Sequence, residues 1–306
     1  MSDISAIVIL NSRSGKGSKV DVRQTLRSMA TTLGVTCDIV SVQDPSQVIE
    51  AAGKAADSNY DVVIAGGGDG TINAVAGELV GTGKRLGVLP LGTFNYFARD
   101  VGVPTDLEEA FRTCFEGETR SVTVGEVNGR VFLNNASLGL YPLILAWREQ
   151  TYRRWGRNRF LAYWSMLTAL LRLRVNMKLT ITSNGNRQMV RTPLLFVARN
   201  ASQLEEFQVP GVRCVSEDDS FSVYALRAVG KLGLLRVAWH TLAGKLQPHY
   251  DFEMVCTNAL RVESRRMLRT VAVDGERVKM LAPLEFRVRK AALSILVPKK
   301  REEIAV

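Results

Sequence analysis

One carboxylate stands inside a run of glycines. Residues 60–98 read YDVVIAGGGDGTINAVAGELVGTGKRLGVLPLGTFNYFA, an apolar run that empties into Gly66-Gly67-Gly68-Asp69-Gly70-Thr71. Glycines at the end of a buried strand let backbone N–H groups approach a ligand with no Cβ in the way. A helix that follows adds positive partial charge at its N-terminus, and phosphate is the usual guest. Asp69 repels phosphate unless a cation lies between them, so the pattern points to Mg²⁺ at Asp69. Thr71 can cap the helix or donate to a phosphate oxygen. A lone loop of this kind also serves as a tight strand–helix turn with no ligand. The spacing follows neither the dinucleotide fingerprint nor the GxxxxGK[ST] loop.

Two companions strengthen the ligand reading. Near the N-terminus an apolar run ends in Asn11-Ser12-Arg13-Ser14-Gly15-Lys16-Gly17, which offers backbone donors, hydroxyls and a cation. Further on, LGVLPLGTFN is another strand-to-loop junction, with Gly92, Thr93 and Asn95. In an open parallel sheet such loops gather at the carboxyl ends of the strands, where ligands bind. Three junctions of one chemistry point to a nucleoside triphosphate site.

The elements that must position these loops alternate. SAIVIL, TCDIVSV, DVVIAG and RLGVLPL read as short buried strands. Helical spacing appears over about 19–33, from Pro45 and Ser46 onward, in TINAVAGELVG and in DLEEAFRTCFEG. This βαβα order predicts a mostly parallel sheet with helices on its faces. Near residue 120 the pattern turns β-rich. Three hairpin signals follow, Val-Asn-Gly-Arg, Ser-Asn-Gly-Asn and Asp-Gly-Glu. The expectation is an α/β domain over 1–120, rejoined by 293–306, and a largely antiparallel domain over 121–292. Helical segments interrupt the latter at about 143–174 and 230–245.

The chain has 306 residues, 46% hydrophobic and 23% charged, which is enough for two ordinary domains with sizeable cores. Its net charge of +10 favours polyanions, whether nucleic acid, anionic lipid or phosphorylated small molecules. Cys37, Cys114, Cys214 and Cys256 lack CxxC spacing, so reduced thiols are expected. Two histidines, His240 and His249, do not suggest a metal cluster or a Ser-His triad. The N-terminus does not read as a signal peptide, and no run reaches the roughly 18–20 apolar residues of a membrane span. The expected location is the cytoplasm, with peripheral contact to a membrane.

GGGDGTINAVAGEL followed by LGVLPLGTFNYFARD resembles the catalytic domain of the diacylglycerol kinase family, which includes bacterial lipid kinases and, more distantly, sphingosine and ceramide kinases. LNSRSGKG, FLNNASLGLYP, VDGE and a closing apolar strand extend the resemblance over nearly the whole chain. It implies an α/β plus β architecture: an NAD-kinase-like nucleotide domain and a β-sandwich domain. It also implies ATP and Mg²⁺ as cofactors and a lipid hydroxyl as acceptor. Gly67, Gly68, Asp69, Gly70 and Thr71 are then expected to hold ATP phosphates and Mg²⁺. Asn11, Ser14, Gly15 and Lys16 are expected to contact nucleotide, and Thr93 and Asn95 to complete the pocket. Asp274, in VDGE, matches the general base, with Glu276 assisting. By itself Asp274-Gly275 is equally a two-residue hairpin turn.

The chain departs from the family pattern at two positions. Many bacterial members carry Asp after the Asn of GTxN, where this chain has Tyr96, and Asp-Leu-Gly where it has Thr123-Val124-Gly125. These departures imply weaker metal binding, with Glu126 as a substitute carboxylate. Asp218-Asp219 resembles an Asp-Asp-Gly that carries a structural metal in some members, which makes Asp219 a second candidate metal ligand. Residues 147–174 mix seven arginines with aromatics and suit an interfacial lid against anionic lipids. The alternative is a helix covering the β domain, and 231–246 carries the same two readings. The partners expected are a lipid substrate at a membrane surface and anionic lipids. Nucleic acid is not expected, since no recognisable module is present. A homodimer is compatible with the sequence. The rival functions are a kinase of a soluble acceptor such as NAD and a non-catalytic nucleotide- or lipid-binding relative.

Overall fold

Strand β3 (Val62–Gly67) is buried along its whole length. A strand apolar on both faces needs cover on both, which parallel sheets with flanking helices provide. The computed structural model describes residues 4–12, 22–155, 176–227, 233 and 251–299, with 148–155 described as backbone only. The chain divides into two units, Met1–Val124 with Arg289–Val306, and Gly125–Val288.

In the first unit β1 (Ala6–Asn11), β2 (Cys37–Val42), β3 and β4 (Arg85–Pro90) lie parallel in the order β2-β1-β3-β4. The end of β16 (Leu284–Val297) then adds parallel to β4, with Ser294 opposite Arg85. Helices α1 (Val22–Leu33), α2 (Pro45–Ala56), α3 (Asp69–Leu79), α4 (Tyr96–Val101) and α5 (Leu107–Glu116) fill the connections. Asp106 caps α5, its carboxylate accepting from the N–H groups of Glu108 and Glu109. Every strand and helix expected before residue 120 is present. The six-residue α4 is an addition that its sequence, NYFARDVG, did not announce. The chain steps from β1 outward to β2 and returns to place β3 on the other side of β1. That reversal makes the carboxyl ends of β1 and β3 the switch point where open α/β sheets bind ligands.

The second unit holds two antiparallel layers. One is the six-stranded sheet β12-β11-β10-β7-β14-β15. Its strands are β12 (Phe252–Thr257), β11 (Phe221–Leu226), β10 (Leu194–Ala198), β7 (Asn135–Gly139), β14 (Leu268–Val273) and β15 (Glu276–Leu281). The other runs from β9 (Asn186–Thr192) through β8 (Met177–Ser183) and β13 (Ala259–Ser264) to the start of β16. The hairpin of β5 (Glu118–Val127) and β6 (Arg130–Phe132) joins it. Phe132, Leu138, Ile181, Val223, Leu260 and Phe286, drawn from both layers, share one core. This is the sandwich that the resemblance implied. Helices α6 (Leu140–Trp155), α7 (Ala201–Glu206) and α8 (Val212–Ser216) supply Leu140, Leu204 and Val215 to a smaller cluster with Tyr224 and Phe252.

All three hairpin signals form two-residue turns. Asn128-Gly129, Asn184-Gly185 and Asp274-Gly275 each take positive φ at both central residues. This is the geometry that matches the twist of the flanking strands and that Asn-Gly and Asp-Gly favour.

The expectation of four reduced thiols is corrected: Cys214 in α8 and Cys256 in β12 form a disulfide, with Cα atoms 5.7 Å apart. The two lie 42 residues apart, so no spacing rule reveals them. They meet because β12 pairs with β11, placing Cys256 opposite Ser222, and α8 packs on that strand. Cys37 and Cys114 are free, and burial pushes the Cys114 thiol up to about 12. Alkylation of the denatured protein without reductant is therefore expected to label two cysteines by mass, and four after reduction. Four labels without reductant would remove the disulfide.

Candidate active site

The glycine loops of the first unit are shaped by their contact with each other. A Cβ on Gly92 would lie 2.7 Å from the Gly68 Cα, so a side chain there would separate the β3–α3 and β4–α4 loops. A Cβ on Gly67 would lie 2.5 Å from the Thr71 Cβ, which ties the strand end to the first turn of α3. The N–H of Leu91 donates to the Gly67 carbonyl at 2.9 Å and closes the same seam.

Asn95 holds the second loop in place. It takes a left-handed conformation (φ 51°) and is buried. Its Oδ1 accepts from the Gly92 N–H at 3.0 Å, and its Nδ2 donates to the carbonyls of Pro90 at 3.1 Å and Gly92 at 3.2 Å. The amide is spent on the loop itself, so Asn95 acts on the pocket by shaping it. Thr93 lies exposed on the same loop.

Asp69 begins α3 and reaches the head of α4, where its Oδ1 accepts from the Phe97 N–H at 3.2 Å. Burial pushes its carboxyl above the ordinary carboxylate value, while the N–H groups of Phe97, Asn95 and Tyr96 oppose that shift. Asn11, at the carboxyl end of β1, donates through Nδ2 to the Thr71 Oγ1 at 2.9 Å. The hydroxyl's own proton remains to be donated elsewhere. The structure thus brings Asn11, Gly67, Gly68, Asp69, Gly70, Thr71, Thr93 and Asn95 to one end of one sheet. Ser14, Gly15 and Lys16 lie outside the described residues.

The donor set suits Mg²⁺ in company with phosphates. Mg²⁺ takes one or two carboxylates and completes its shell with water and phosphate oxygens. Asp69 supplies one carboxylate, and among the described residues no cluster of three His, Cys, Asp or Glu side chains could hold a metal without phosphate. At the two departures from the expected pattern, the Tyr96 ring stacks on Phe94 at 5.4 Å, and the Thr123 hydroxyl accepts from the Ala291 N–H at 3.4 Å.

The second unit holds the remaining candidates. Asp274 sits in the turn between β14 and β15. Its Oδ2 accepts from the Leu133 N–H at 2.7 Å, and its Oδ1 accepts from Asn134 and Asn135 at 2.9 and 2.8 Å. The segment presenting those donors is itself fixed. Asn200 donates to the Asn134 Oδ1 at 2.7 Å, Asn135 donates to the Gln203 Oε1 at 2.9 Å, and Asn200 caps α7. These buried amides were not singled out from sequence; the paired asparagines of FLNNASLG were the available signal. Glu276 pairs with Arg130 at 2.6 Å. Glu126, considered as a substitute carboxylate, pairs with Arg287 at 3.3 Å. Asp219 pairs with the buried Arg199 at 2.7 Å and so has a cation without any metal. The basic-aromatic stretch 147–174 and the stretch 231–246 fall largely outside the described residues. Among those described, no helix is long and apolar enough to cross a membrane.

Comparison with known proteins fits this arrangement. Residues 5–127 match the model of the diacylglycerol kinase catalytic domain. A diacylglycerol kinase of Bacillus subtilis is 31% identical over 261 residues, which is 83% of this chain and 83% of that protein. The chain belongs to the diacylglycerol kinase family. Membership makes it a lipid kinase, a phosphotransferase. A Klebsiella pneumoniae protein named "Probable lipid kinase YegS-like" is 35% identical over 137 residues, 44% of this chain and 45% of that one. The crystal structure of a diacylglycerol kinase from Bacillus anthracis superposes with a TM-score of 0.68 at 17% identity, covering 97% of this chain and 98% of that one. That likeness shows the shared fold.

Three outcomes follow for this kinase. Gly92→Ala should cost about 1–3 kcal/mol in thermal or denaturant unfolding, the usual cost of overpacking. Gly77→Ala, with nothing within 4 Å of its Cβ position inside α3, should be neutral or stabilising. Asp69 binds its proton more tightly when folded, so its contribution to stability falls as pH rises from the unfolded pKa through the raised folded one. Asp69→Asn should remove that slope and melt no lower than wild type at neutral pH, as read by melting curves across pH.

Proposed function

We propose that this kinase transfers the γ-phosphate of ATP, with Mg²⁺, to the hydroxyl of diacylglycerol or a related lipid alcohol. The contact of Gly68 with Gly92, with Asp69 at the head of α3, carries the nucleotide half of this reading. Backbone N–H groups at 68–70 and the Thr71 hydroxyl donate to phosphate oxygens, with Asn11 orienting that hydroxyl. Mg²⁺ at Asp69 supplies neutralisation of phosphate charge. Asp274, fixed by its three N–H donors, orients the lipid hydroxyl and accepts its proton. The lipid oxygen forms its bond to the γ-phosphorus as the bridge to the β-phosphate breaks, and ADP leaves. Glu276 with Arg130 supports the hairpin that carries Asp274. Phosphoryl transfer needs chiefly positioning and charge neutralisation, which these groups provide.

The family relationship supports the acceptor class, and a lipid acceptor favours work at a membrane surface. The net charge of +10 favours an anionic leaflet. Tyr96 and Thr123 favour a second reading, a relative that binds nucleotide and lipid without transfer.

The test uses labelled ATP with Mg²⁺, a mixed lipid extract and, separately, NAD. Wild type should label a lipid of diacylglycerol type and leave NAD unlabelled, and Asp69→Ala should label nothing. Asp274→Asn should keep ATP affinity and lose about 10²–10⁴-fold in turnover, the range for a general base. ATP binding with no product would establish the second reading; labelled NAD would replace the acceptor class.

A further inference from the structure

One tip of the six-stranded sheet exposes apolar side chains. Met267, Leu268 and Leu281 are 72%, 53% and 62% exposed. Leu268 and Leu281 are direct cross-strand partners, and Met267 precedes Leu268 at the same tip, its carbonyl accepting from the Ala282 N–H. Scattered exposed apolar residues are ordinary, whereas a contiguous group at a strand tip is not.

A cavity of about 590 Å³ opens beside this patch, and Leu268 lines both. Its apolar wall includes Leu138, Pro142 and Leu143. Its polar wall is cationic: Lys178, Arg265, Arg266, Arg269 and Arg277 line it, and among the described residues no carboxylate does. Among the described residues Lys178, Arg265 and Arg266 have no carboxylate partner. Burial, together with the Arg266 charge, pulls Arg269 below its ordinary value. The Arg269 Nε is held by the Ser264 Oγ at 2.7 Å.

A soluble anion has use for the cations and none for three exposed apolar side chains. A duplex or single strand of nucleic acid gains little from Met and Leu. An anionic leaflet uses both, since its phosphates meet the arginines and its acyl region takes the apolar tip. We propose that this tip docks the protein on an anionic lipid surface, with Met267, Leu268 and Leu281 entering the leaflet and the arginine-lined cavity receiving a lipid headgroup phosphate.

The test is flotation of the full-length protein with vesicles of phosphatidylcholine alone and of phosphatidylcholine with phosphatidylglycerol. No ATP is present and no turnover is read, so the result stands apart from the acceptor assignment. Wild type should float with the anionic vesicles and resist release by inorganic phosphate. Met267→Ser/Leu268→Ser/Leu281→Ser and Arg265→Glu/Arg266→Glu should each weaken binding by about tenfold or more, with melting temperatures unchanged. Should either multiple variant melt early, Leu281→Ser and Arg265→Ala are read in its place. Unchanged binding by the variants, or none by wild type, overturns the proposal. Release by inorganic phosphate would make the cavity a free-anion site instead. A dimer in sedimentation that the serine variant loses would make a second copy of the chain the occupant.

Discussion

Gly92 lies so close to the Gly68 backbone that it has no room for a side chain, and the candidate phosphate site depends on that constraint. Gly92 packs on the Cα of Gly68, which lets the β4–α4 loop reach the head of α3. Asp69, held there, accepts from the Phe97 N–H at the head of α4. One close approach thereby sets the position of a carboxylate and the direction of the N–H groups around it. The glycines serve two ends at once: they bring the loops together, and they leave a backbone bare enough for phosphate.

The second unit solves a related problem with amides. A hairpin turn presents Asp274, and a buried network of Asn134, Asn135, Asn200 and Gln203 fixes the three N–H groups that grip it. A carboxylate on a two-residue turn would otherwise follow the motion of the hairpin. Anchored to 133–135, it is held by two separate stretches of chain. A group meant to orient a hydroxyl needs this kind of support.

Much of this was legible from local pattern. Apolar runs of strand length, Pro45 at a helix start, and Asn-Gly and Asp-Gly between alternating segments each carry their own physical cause within a few residues, and the structure follows them. What escaped depends on distant neighbours. The Cys214–Cys256 bridge spans 42 residues and arises from the pairing of β11 with β12. Asn95 reads as a ligand contact in a motif, yet its amide is used by its own loop. Helix α4 is six residues long and begins after a residue in a left-handed conformation, too short for periodicity to reveal. The pairing of Asp219 with the buried Arg199, 20 residues away, likewise has no local signal.

The central claim is that the two glycine loops form one phosphate cradle with Asp69. Hydrogen–deuterium exchange of the full-length chain, with and without ATP and Mg²⁺, tests it most directly. The account predicts that amides of 67–71 and of 92–97 gain protection together, and that neither does so in Asp69→Ala at the same nucleotide concentration. Protection confined to one loop, or lying wholly elsewhere, would contradict it.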